Sequence, residues 1–211
     1  ISFHVDAVQA LAKIPTEKYL TERVDFATFS GHKFHGVRGV GFVYIKSGKK
    51  ITPLLTGGGQ ERDYRSTTEN VAGIAATAKA LRLSMEKLDF FTSKTGQMKA
   101  VIRQALLDYP DIFVFSDEED FAPHILTFGI KGVRGEVIVH AFEDYDIFIS
   151  TTSACSSKAG KPAGTLIAMG VDKDKAQSAV RLSLDLENDM SQVEQFLTKL
   201  KLIYNQTKKV R

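Results

Sequence analysis

The stretch Ser30-Gly31-His32-Lys33-Phe34-His35-Gly36 decides the fold of this 211-residue chain. Residues 25–29, just before it, form a short run rich in β-branched and aromatic residues, which predicts a strand. A second strand is predicted over residues 1–5 and delivers Asp6. Short helical pieces separate the two strands, which favours an α/β layer. Lys33 is therefore expected at the end of a buried strand, near an aspartate from a neighbouring strand.

An amine and a carboxylate in this arrangement are what a pyridoxal phosphate site requires. The lysine amine forms a Schiff base with the cofactor aldehyde, and the carboxylate keeps the pyridine nitrogen protonated so that the ring accepts electrons. Lys33 and Asp6 are the candidates. Most lysines are solvated surface residues, so this pair alone is weak evidence.

Other segments strengthen the case. They are Gly57-Gly58-Gly59-Gln60-Glu61-Arg62, Arg65-Ser66-Thr67-Thr68-Glu69-Asn70, Ser153-Ala154-Cys155-Ser156-Ser157 and Val180-Arg181-Leu182-Ser183-Leu184. With the lysine segment, they make the chain resemble the C-terminal half of a class I, NifS-like cysteine desulfurase of the class V aminotransferase group. The resemblance runs from His4 to about Gln206.

The resemblance implies an α/β fold, the pyridoxal phosphate-dependent transferase fold type I. It divides the chain into the C-terminal part of the cofactor-binding large domain, residues 1–75, and a small α+β domain, residues 76–211. The implied site residues are Lys33 and Cys155 for catalysis, Asp6, Gln9, Ser30, His32, Lys33 and Thr68 for the cofactor, and Arg181 for the substrate carboxylate. Thr68 resembles the threonine that reaches the cofactor phosphate of the other subunit, which implies a homodimer.

Some of these residues also fit structural interpretations. Asp6 also suits a helix cap for the residues that follow it. Without the resemblance, the cap and the cofactor role explain Asp6 equally well. Arg181 in a strand also suits a structural salt bridge. His32 and His35 form an H-x-x-H pair, but no further ligand cluster accompanies them, so we expect no metal site.

Cys155 carries the specific activity that the resemblance implies. A cysteine among Ser, Thr, Ala and Gly is poorly explained by core packing. By resemblance it attacks the sulfur of L-cysteine, leaves a persulfide on its own thiol and releases alanine. We expect residues 150–163 to form a mobile loop that carries this sulfur to an acceptor.

Composition limits the other functions. The formal net charge is only +3, and no basic segment is interleaved with aromatics, so direct nucleic-acid binding is not expected. A single cysteine excludes an internal disulfide and fits the reducing cytoplasm. No run approaches the ~18 apolar residues of a membrane span.

Periodicity predicts the remaining elements. A third strand is expected over residues 40–45 and an irregular loop, either functional or disordered, over residues 51–68. An amphipathic helix from Asn70 is indicated by the apolar positions Val71, Ile74, Ala75, Ala78, Leu81, Met85 and Leu88. Further helices are predicted over 7–11, 15–23, 90–108, 134–142, 164–169 and 191–204, and strands over 112–115, 124–129, 147–149 and 180–184.

Two features complicate the functional interpretation. The family usually has glycine where this chain has Thr67, and a β-branched residue does not readily adopt a positive φ. The chain also begins inside a predicted strand, so we expect a truncated form that holds pyridoxal phosphate weakly or lacks it. For the parent protein we expect an acceptor in iron–sulfur cluster assembly or in tRNA or cofactor thiolation. The alternatives are a selenocysteine lyase, an aminotransferase, or a non-catalytic fragment that only binds partners.

Overall fold

The computed structural model describes residues 1–116, 121–151 and 164–209. The chain forms two compact units, Ile1–Phe90 and Phe91–Arg211. The sequence-based boundary, after residue 75, falls inside the helix Val71–Glu86. That helix packs on the turn Gly31–Phe34 and so belongs entirely to the first unit, which moves the boundary to Phe90.

The first unit is built on a three-stranded mixed sheet. Its strands are β1 (His4–Asp6), β2 (Phe26–Ser30) and β3 (Gly41–Ile45), in the order β1-β2-β3. β1 runs parallel to β2, and β3 runs antiparallel to β2. One face of the sheet covers a small core of Ala7, Leu11, Ala12, Val24, Ala27, Phe29 and Phe34. The three strands and the α/β layer predicted from the sequence are confirmed.

The connection between β1 and β2 has less helix than predicted. Residues 7–13 form successive turns, and only Thr16–Lys18 forms a short 3₁₀ helix, with Pro15 just before it. The helix predicted over 7–11 was therefore wrong, and of the helix predicted over 15–23 only Thr16–Lys18 is helical. Ala12 adopts a left-handed φ of 58°, which interrupts a regular right-handed helix at this point.

Helix α1 (Val71–Glu86) buries a different face from the predicted one. Gly73 and Thr77 are buried, whereas the predicted core residues Val71, Ile74 and Met85 are exposed, Val71 at 71%. Gly73 approaches the chain so closely that a Cβ there would lie 2.9 Å from Val40 Cγ2. Small side chains therefore decide which face of α1 packs, because they permit close approach to the backbone.

The second unit packs helices against an antiparallel sheet. Its strands are β4 (Ile112–Val114), β5 (Ile125–Ile130), β6 (Ser150–Thr151) and β7 (Val180–Ser183), in the order β4-β5-β7-β6. The helices are α2 (Leu88–Leu107), α3 (Gly135–Glu143), α4 (Gly164–Ala168), α5 (Lys173–Gln177) and α6 (Met190–Lys209). The core is lined by Met98, Ile102, Leu126, Phe128, Ile138, Phe142, Val180, Phe196 and Leu200, with the Phe142 and Phe196 rings stacked at 4.9 Å.

Two predictions for this unit need correction. Residues 147–149 form no strand, because hydrogen-bonded pairing with β7 begins only at Ser150, although Ile147 and Ile149 do pack on the core. Helix α5 was not predicted. Its N-cap Asp172 accepts hydrogen bonds from the N–H groups of Asp174 and Lys175. This capping signal is local, and a helix of only five residues has too short a periodic pattern to be recognised easily from the sequence.

Within the described part of the chain, no helix combines the length and apolar character needed to cross a membrane.

Asp25 ties the start of the first unit together. Its carboxylate accepts a 2.9 Å hydrogen bond from the N–H of Phe3 and lies 3.1 Å from the Lys49 ammonium. The Phe3 hydrogen bond, and then the contact with Lys49, hold the pKa of Asp25 below its ordinary value. The group therefore stabilises the fold above its unfolded pKa of about 3.9, and this contribution is lost as the pH falls through the lower folded pKa.

We expect acid to destabilise the first unit through Asp25. Amide exchange in β2, referred to α6 at the same pH, should become faster between about pH 5 and pH 3. Asp25→Asn should be less stable than wild type at pH 7 and should lose less stability on acidification, because it has no carboxyl to protonate at this position. An equal loss of stability in the variant would show that other carboxylates cause the acid sensitivity.

Gly129 in β5 and Gly96 in α2 offer a matched pair of substitutions. A Cβ at Gly129 would lie 2.2 Å from Ser178 Oγ and 3.0 Å from Ser178 O, so Gly129→Ala should destabilise the second unit by about 1–3 kcal/mol. A Cβ at Gly96 meets only Pro123 Cβ at 3.9 Å, and Gly96→Ala in a helix should stabilise it by up to about 1 kcal/mol. Urea unfolding followed by NMR measures both; equal effects would contradict the packing at Ser178.

Candidate active site

Asp6 and the segment Ser30–Lys33 lie at the same edge of the sheet of the first unit. Asp6 ends β1 and Ser30 ends β2, and these strands are parallel, with Asp6 in register with Thr28. The N–H of Ala7 continues the pairing with a 3.1 Å hydrogen bond to Thr28 O. The carboxyl ends of parallel strands are where α/β sheets bind ligands. The topology thus brings Asp6 and the segment after Ser30 to the same edge.

Lys33 lies on a 3₁₀ turn, Gly31–Phe34, that follows β2 directly. The N–H of Gly31 donates to Val40 O at 2.9 Å, and the N–H of Gly36 donates to Gly31 O at 2.9 Å. His35 closes the turn with a left-handed φ of 66°. Gly31 and Phe34 are buried, whereas Lys33 is half-buried. The Lys33 side chain makes no hydrogen bond or ion pair with another described residue.

Ser30 and His32 meet beside this lysine. Ser30 Oγ lies 3.0 Å from His32 Nδ1. His32 lies on the 3₁₀ turn that follows β2, and this turn brings the two side chains together. Since Nδ1 is engaged with Ser30, the other ring nitrogen of the exposed His32 remains available to an anion.

Asp6 has a local hydrogen-bonding role as well as a position at this edge. Its Oδ1 accepts a 3.1 Å hydrogen bond from the N–H of Val8, the local arrangement that the capping interpretation describes. Asp6 is exposed, so its second carboxylate oxygen is accessible. Gln9 follows in the exposed turn after β1. A single aspartate can therefore both order this turn and accept a ligand's N–H.

The loop between β3 and α1 is irregular, as the sequence predicted for residues 51–68. Gly59 has φ +79°, and three consecutive residues, Glu61, Arg62 and Asp63, have φ of 52°, 56° and 66°. Left-handed geometry costs roughly 1–2 kcal/mol per L-residue. The Ser66 N–H fastens the loop to Leu55 O at 3.0 Å.

Thr67 and Thr68 follow this left-handed turn and lead into α1. Thr67 does not adopt a positive φ, so the departure from glycine causes no backbone conflict there. Thr68 is exposed, two residues before the α1 N-cap Asn70, whose Oδ1 accepts the Gly73 N–H at 3.1 Å. Thr68 therefore stands at a surface accessible to a ligand or to a second subunit.

Arg181 occupies the second unit. It lies on β7, between Thr127 of β5 and Ser150 of β6 in register, on the face opposite the core residues Val180 and Leu182. Its Nε is buried and has no hydrogen-bond partner among the described residues. A guanidinium with an unpaired donor fits an anionic partner such as a carboxylate. Cys155 and nearly all of the predicted loop 150–163 lie outside the described residues.

The described residues contain no group of three His, Cys, Asp or Glu side chains placed to hold a metal ion.

Sequence reasoning missed the contacts that hold the 3₁₀ turn Gly31–Phe34, called the lysine turn from here on. Thr77 and Ser84, seven residues apart on α1, contact its two ends: Thr77 packs on Gly31, and Ser84 Oγ donates to Phe34 O at 3.1 Å. The available signal was the spacing of the small residues Gly73, Thr77 and Ser84 along one side of α1. The more hydrophobic stripe on another side concealed it.

Comparison with known proteins places this architecture in a family. The aminotransferase class-V model matches residues 1–196, and the chain belongs to that family. A "NIFS-LIKE PROTEIN" structure superposes with a TM-score of 0.84 at 36% identity and covers 97% of this chain and 52% of that one. The fold expected from the sequence, pyridoxal phosphate-dependent fold type I, is thereby confirmed.

Curated relatives agree with the structural match. A "NifS/IcsS protein homolog" of Lactobacillus delbrueckii subsp. bulgaricus is 47% identical over the whole chain, which covers 55% of that protein. A "Cysteine desulfurase" of Trichormus azollae is 36% identical over 92% of the chain and 49% of its own length. The chain thus spans about half the length of these relatives, and its resemblance to NifS-like cysteine desulfurases is confirmed.

The contact of Gly31 with Thr77 can be tested by a double-mutant cycle. A Cβ at residue 31 would lie 2.9 Å from Thr77 Cγ2 and 3.0 Å from Val40 O, so Gly31→Ala should destabilise the first unit by about 1–3 kcal/mol. Adding Thr77→Ala removes the first clash but not the second, so the double variant should be more stable than the sum of the single effects, by about 0.5–3 kcal/mol. Additive free energies of unfolding would place the strain elsewhere.

Proposed function

We propose that this chain carries the lysine, cysteine and arginine of a pyridoxal phosphate-dependent cysteine desulfurase. Its substrate is L-cysteine, its products are L-alanine and a persulfide on Cys155, and the persulfide sulfur passes to an acceptor protein. The observation that carries the proposal is the meeting of Asp6 with the Ser30–Lys33 segment at the carboxyl edge of the parallel pair β1–β2.

The donor set at this edge fits pyridoxal phosphate. The Lys33 amine has no hydrogen-bond partner among the described residues and is available to the cofactor aldehyde. Asp6 offers an accessible carboxylate to a ring N–H, and Gln9 offers an exposed amide. Ser30 and His32, 3.0 Å apart, offer a hydroxyl and an imidazole to the phosphate. When bound, the cofactor supplies an electron-accepting ring.

The remaining roles belong to the chain's own side chains. Lys33 holds the cofactor and moves the substrate's proton, and Arg181 orients the substrate by two parallel hydrogen bonds to its carboxylate. Cys155, as a thiolate, attacks the substrate sulfur, so that the S–S bond of the persulfide forms as the Cβ–S bond of the substrate breaks; the electron pair of that bond stays with the carbon fragment, which takes up a proton and leaves as L-alanine. Thr68 reaches the cofactor phosphate of a second subunit in a homodimer. The acceptor serves iron–sulfur cluster assembly or the thiolation of tRNA or of a cofactor.

The chain by itself should hold the cofactor weakly. Asp6, Gln9, His32 and Thr68 are all exposed in the first unit, so a bound ring and phosphate would be hydrated on several sides. Water competes for each hydrogen bond under these conditions and reduces its net contribution to about 1 kcal/mol. Loss of the cofactor absorbance band on dialysis would agree with this; a stoichiometric band abolished by Lys33→Ala would contradict it.

The activity is tested in the polypeptide of family length that contains this chain. Lys33→Ala should lower alanine formation from L-cysteine at least about a hundredfold and remove the cofactor band. Cys155→Ala should retain the band but lose the persulfide, and Arg181→Lys should chiefly raise KM, because an ammonium lacks the planar fork. Alanine formation that persists at wild-type rate in Cys155→Ala would exclude this sulfur-transfer route and favour a selenocysteine lyase or an aminotransferase.

A further inference from the structure

The lysine turn is restrained at both ends by one helix. Thr77 and Ser84 stand seven residues apart, two turns along the same side of α1. Thr77 contacts Gly31, the first residue of the 3₁₀ turn, and Ser84 hydrogen-bonds to Phe34, the last. Lys33 lies between these two contacts. We infer that Ser84 is a positioning residue for Lys33; this rests on the proposed function, in which Lys33 binds the cofactor.

At the start of the turn the restraint is steric. Thr77 is only 4% exposed, and its hydroxyl has no hydrogen-bond partner among the described residues, so its contact with Gly31 is one of packing. Gly31 is held on its other side by the hydrogen bond from its N–H to Val40 O. A backbone enclosed by helix on one side and strand connection on the other has little freedom to shift.

At the end of the turn the restraint is a hydrogen bond. Ser84 Oγ donates to Phe34 O at 3.1 Å, across a separation of 50 residues. The Phe34 ring is 1% exposed and belongs to the core of the first unit. Phe34 is therefore fixed through both its ring and its carbonyl, and the N–H of Gly36 returns to Gly31 O to close the turn.

Lys33 itself depends on these restraints. Its side chain has four rotatable bonds and makes no hydrogen bond or ion pair with other described residues. The backbone of the turn is thus what limits the volume that Nζ samples. Ser84 does not touch the reacting atoms. It acts by holding the carbonyl of Phe34, the residue after Lys33, and with it the Phe34–His35 peptide plane, in one orientation.

The first arm of the test traps the amine that reacts. The chain is treated with pyridoxal 5′-phosphate and borohydride, and peptide mapping gives the label on Lys33 relative to the other lysines. Ser84→Ala should lower this ratio about fivefold, the factor that corresponds to one hydrogen bond of about 1 kcal/mol. Ser84→Thr retains a hydroxyl and should restore the ratio. Ser93→Ala, at an exposed helical position of the second unit, should leave it unchanged.

The second arm needs no cofactor. Amide exchange of Gly31 and Gly36, whose N–H groups hold the turn, should become about fivefold faster in Ser84→Ala and return in Ser84→Thr. The amides of Phe26–Phe29 in β2 should not change. Equal acceleration in β2 would mean that Ser84 merely stabilises the unit, and would overturn the inference.

The two arms separate the possible failures. If wild-type Lys33 is labelled no more than exposed lysines, the proposed function of Lys33 fails, while the exchange result still decides whether Ser84 restrains the turn. If wild-type Lys33 is labelled preferentially and Ser84→Ala is labelled equally, the cofactor role stands and positioning by Ser84 is excluded.

Discussion

The parallel pairing of β1 with β2 is the constraint on which the rest of the first unit depends. Only a parallel pair places two carboxyl ends at one edge, so that Asp6 and Ser30 lie at the same edge although 23 residues lie between them. Parallel strands need a long connection, and here it consists of turns and a single 3₁₀ helix that pack Leu11 and Ala12 under the sheet. Asp25 then secures the start of β1 through Phe3. The position of the candidate site follows from strand direction before any side-chain chemistry is considered.

Close approach of small residues is the second constraint, and it explains the lysine motif physically. The glycine before His32 is required because Thr77 and Val40 O occupy the space that a Cβ would take. The same principle operates at Gly73 in α1 and at Gly129 in the second unit. In each case the absence of a side chain lets the glycine backbone approach another backbone or a short side chain. The contact at Gly31 positions the turn that carries Lys33, the contact at Gly73 positions α1, and the contact at Gly129 positions β5.

Much of this could be predicted from the sequence, for identifiable reasons. β2 and β3 have strong β-branched and aromatic signals, and α2 has a long helical period that ends before Pro110, so local pattern and tertiary packing agree. The connection after Asp6 and the buried side of α1 could not be predicted in this way. The turns after Asp6 depend on a hydrogen bond from Val8, and the packing of α1 depends on residues 31 and 40, which are distant in sequence. Hydrophobic periodicity identified α1 as a helix but favoured Val71 and Ile74 as its core face, because periodicity contains no information about backbone approach.

In the proposed site, the residues that would bind the cofactor are different from the residues that hold the turn in place. Asp6, Gln9, His32 and Thr68 are exposed, whereas Gly31, Phe34 and Thr77 are buried and Ser84 is half-buried behind the turn. An exposed side chain contributes little to the free energy of unfolding, so substitutions of Gln9, His32 and Thr68 should alter binding with small effects on stability, whereas Asp6 also orders the turn after β1. Substitutions in the second group act on stability and, in the proposed site, through the turn on the reach of Lys33. In this proposal the reactivity of Lys33 depends on the packing between α1 and the 3₁₀ turn as much as on the lysine itself, because a flexible amine reacts selectively only when its backbone is held in place.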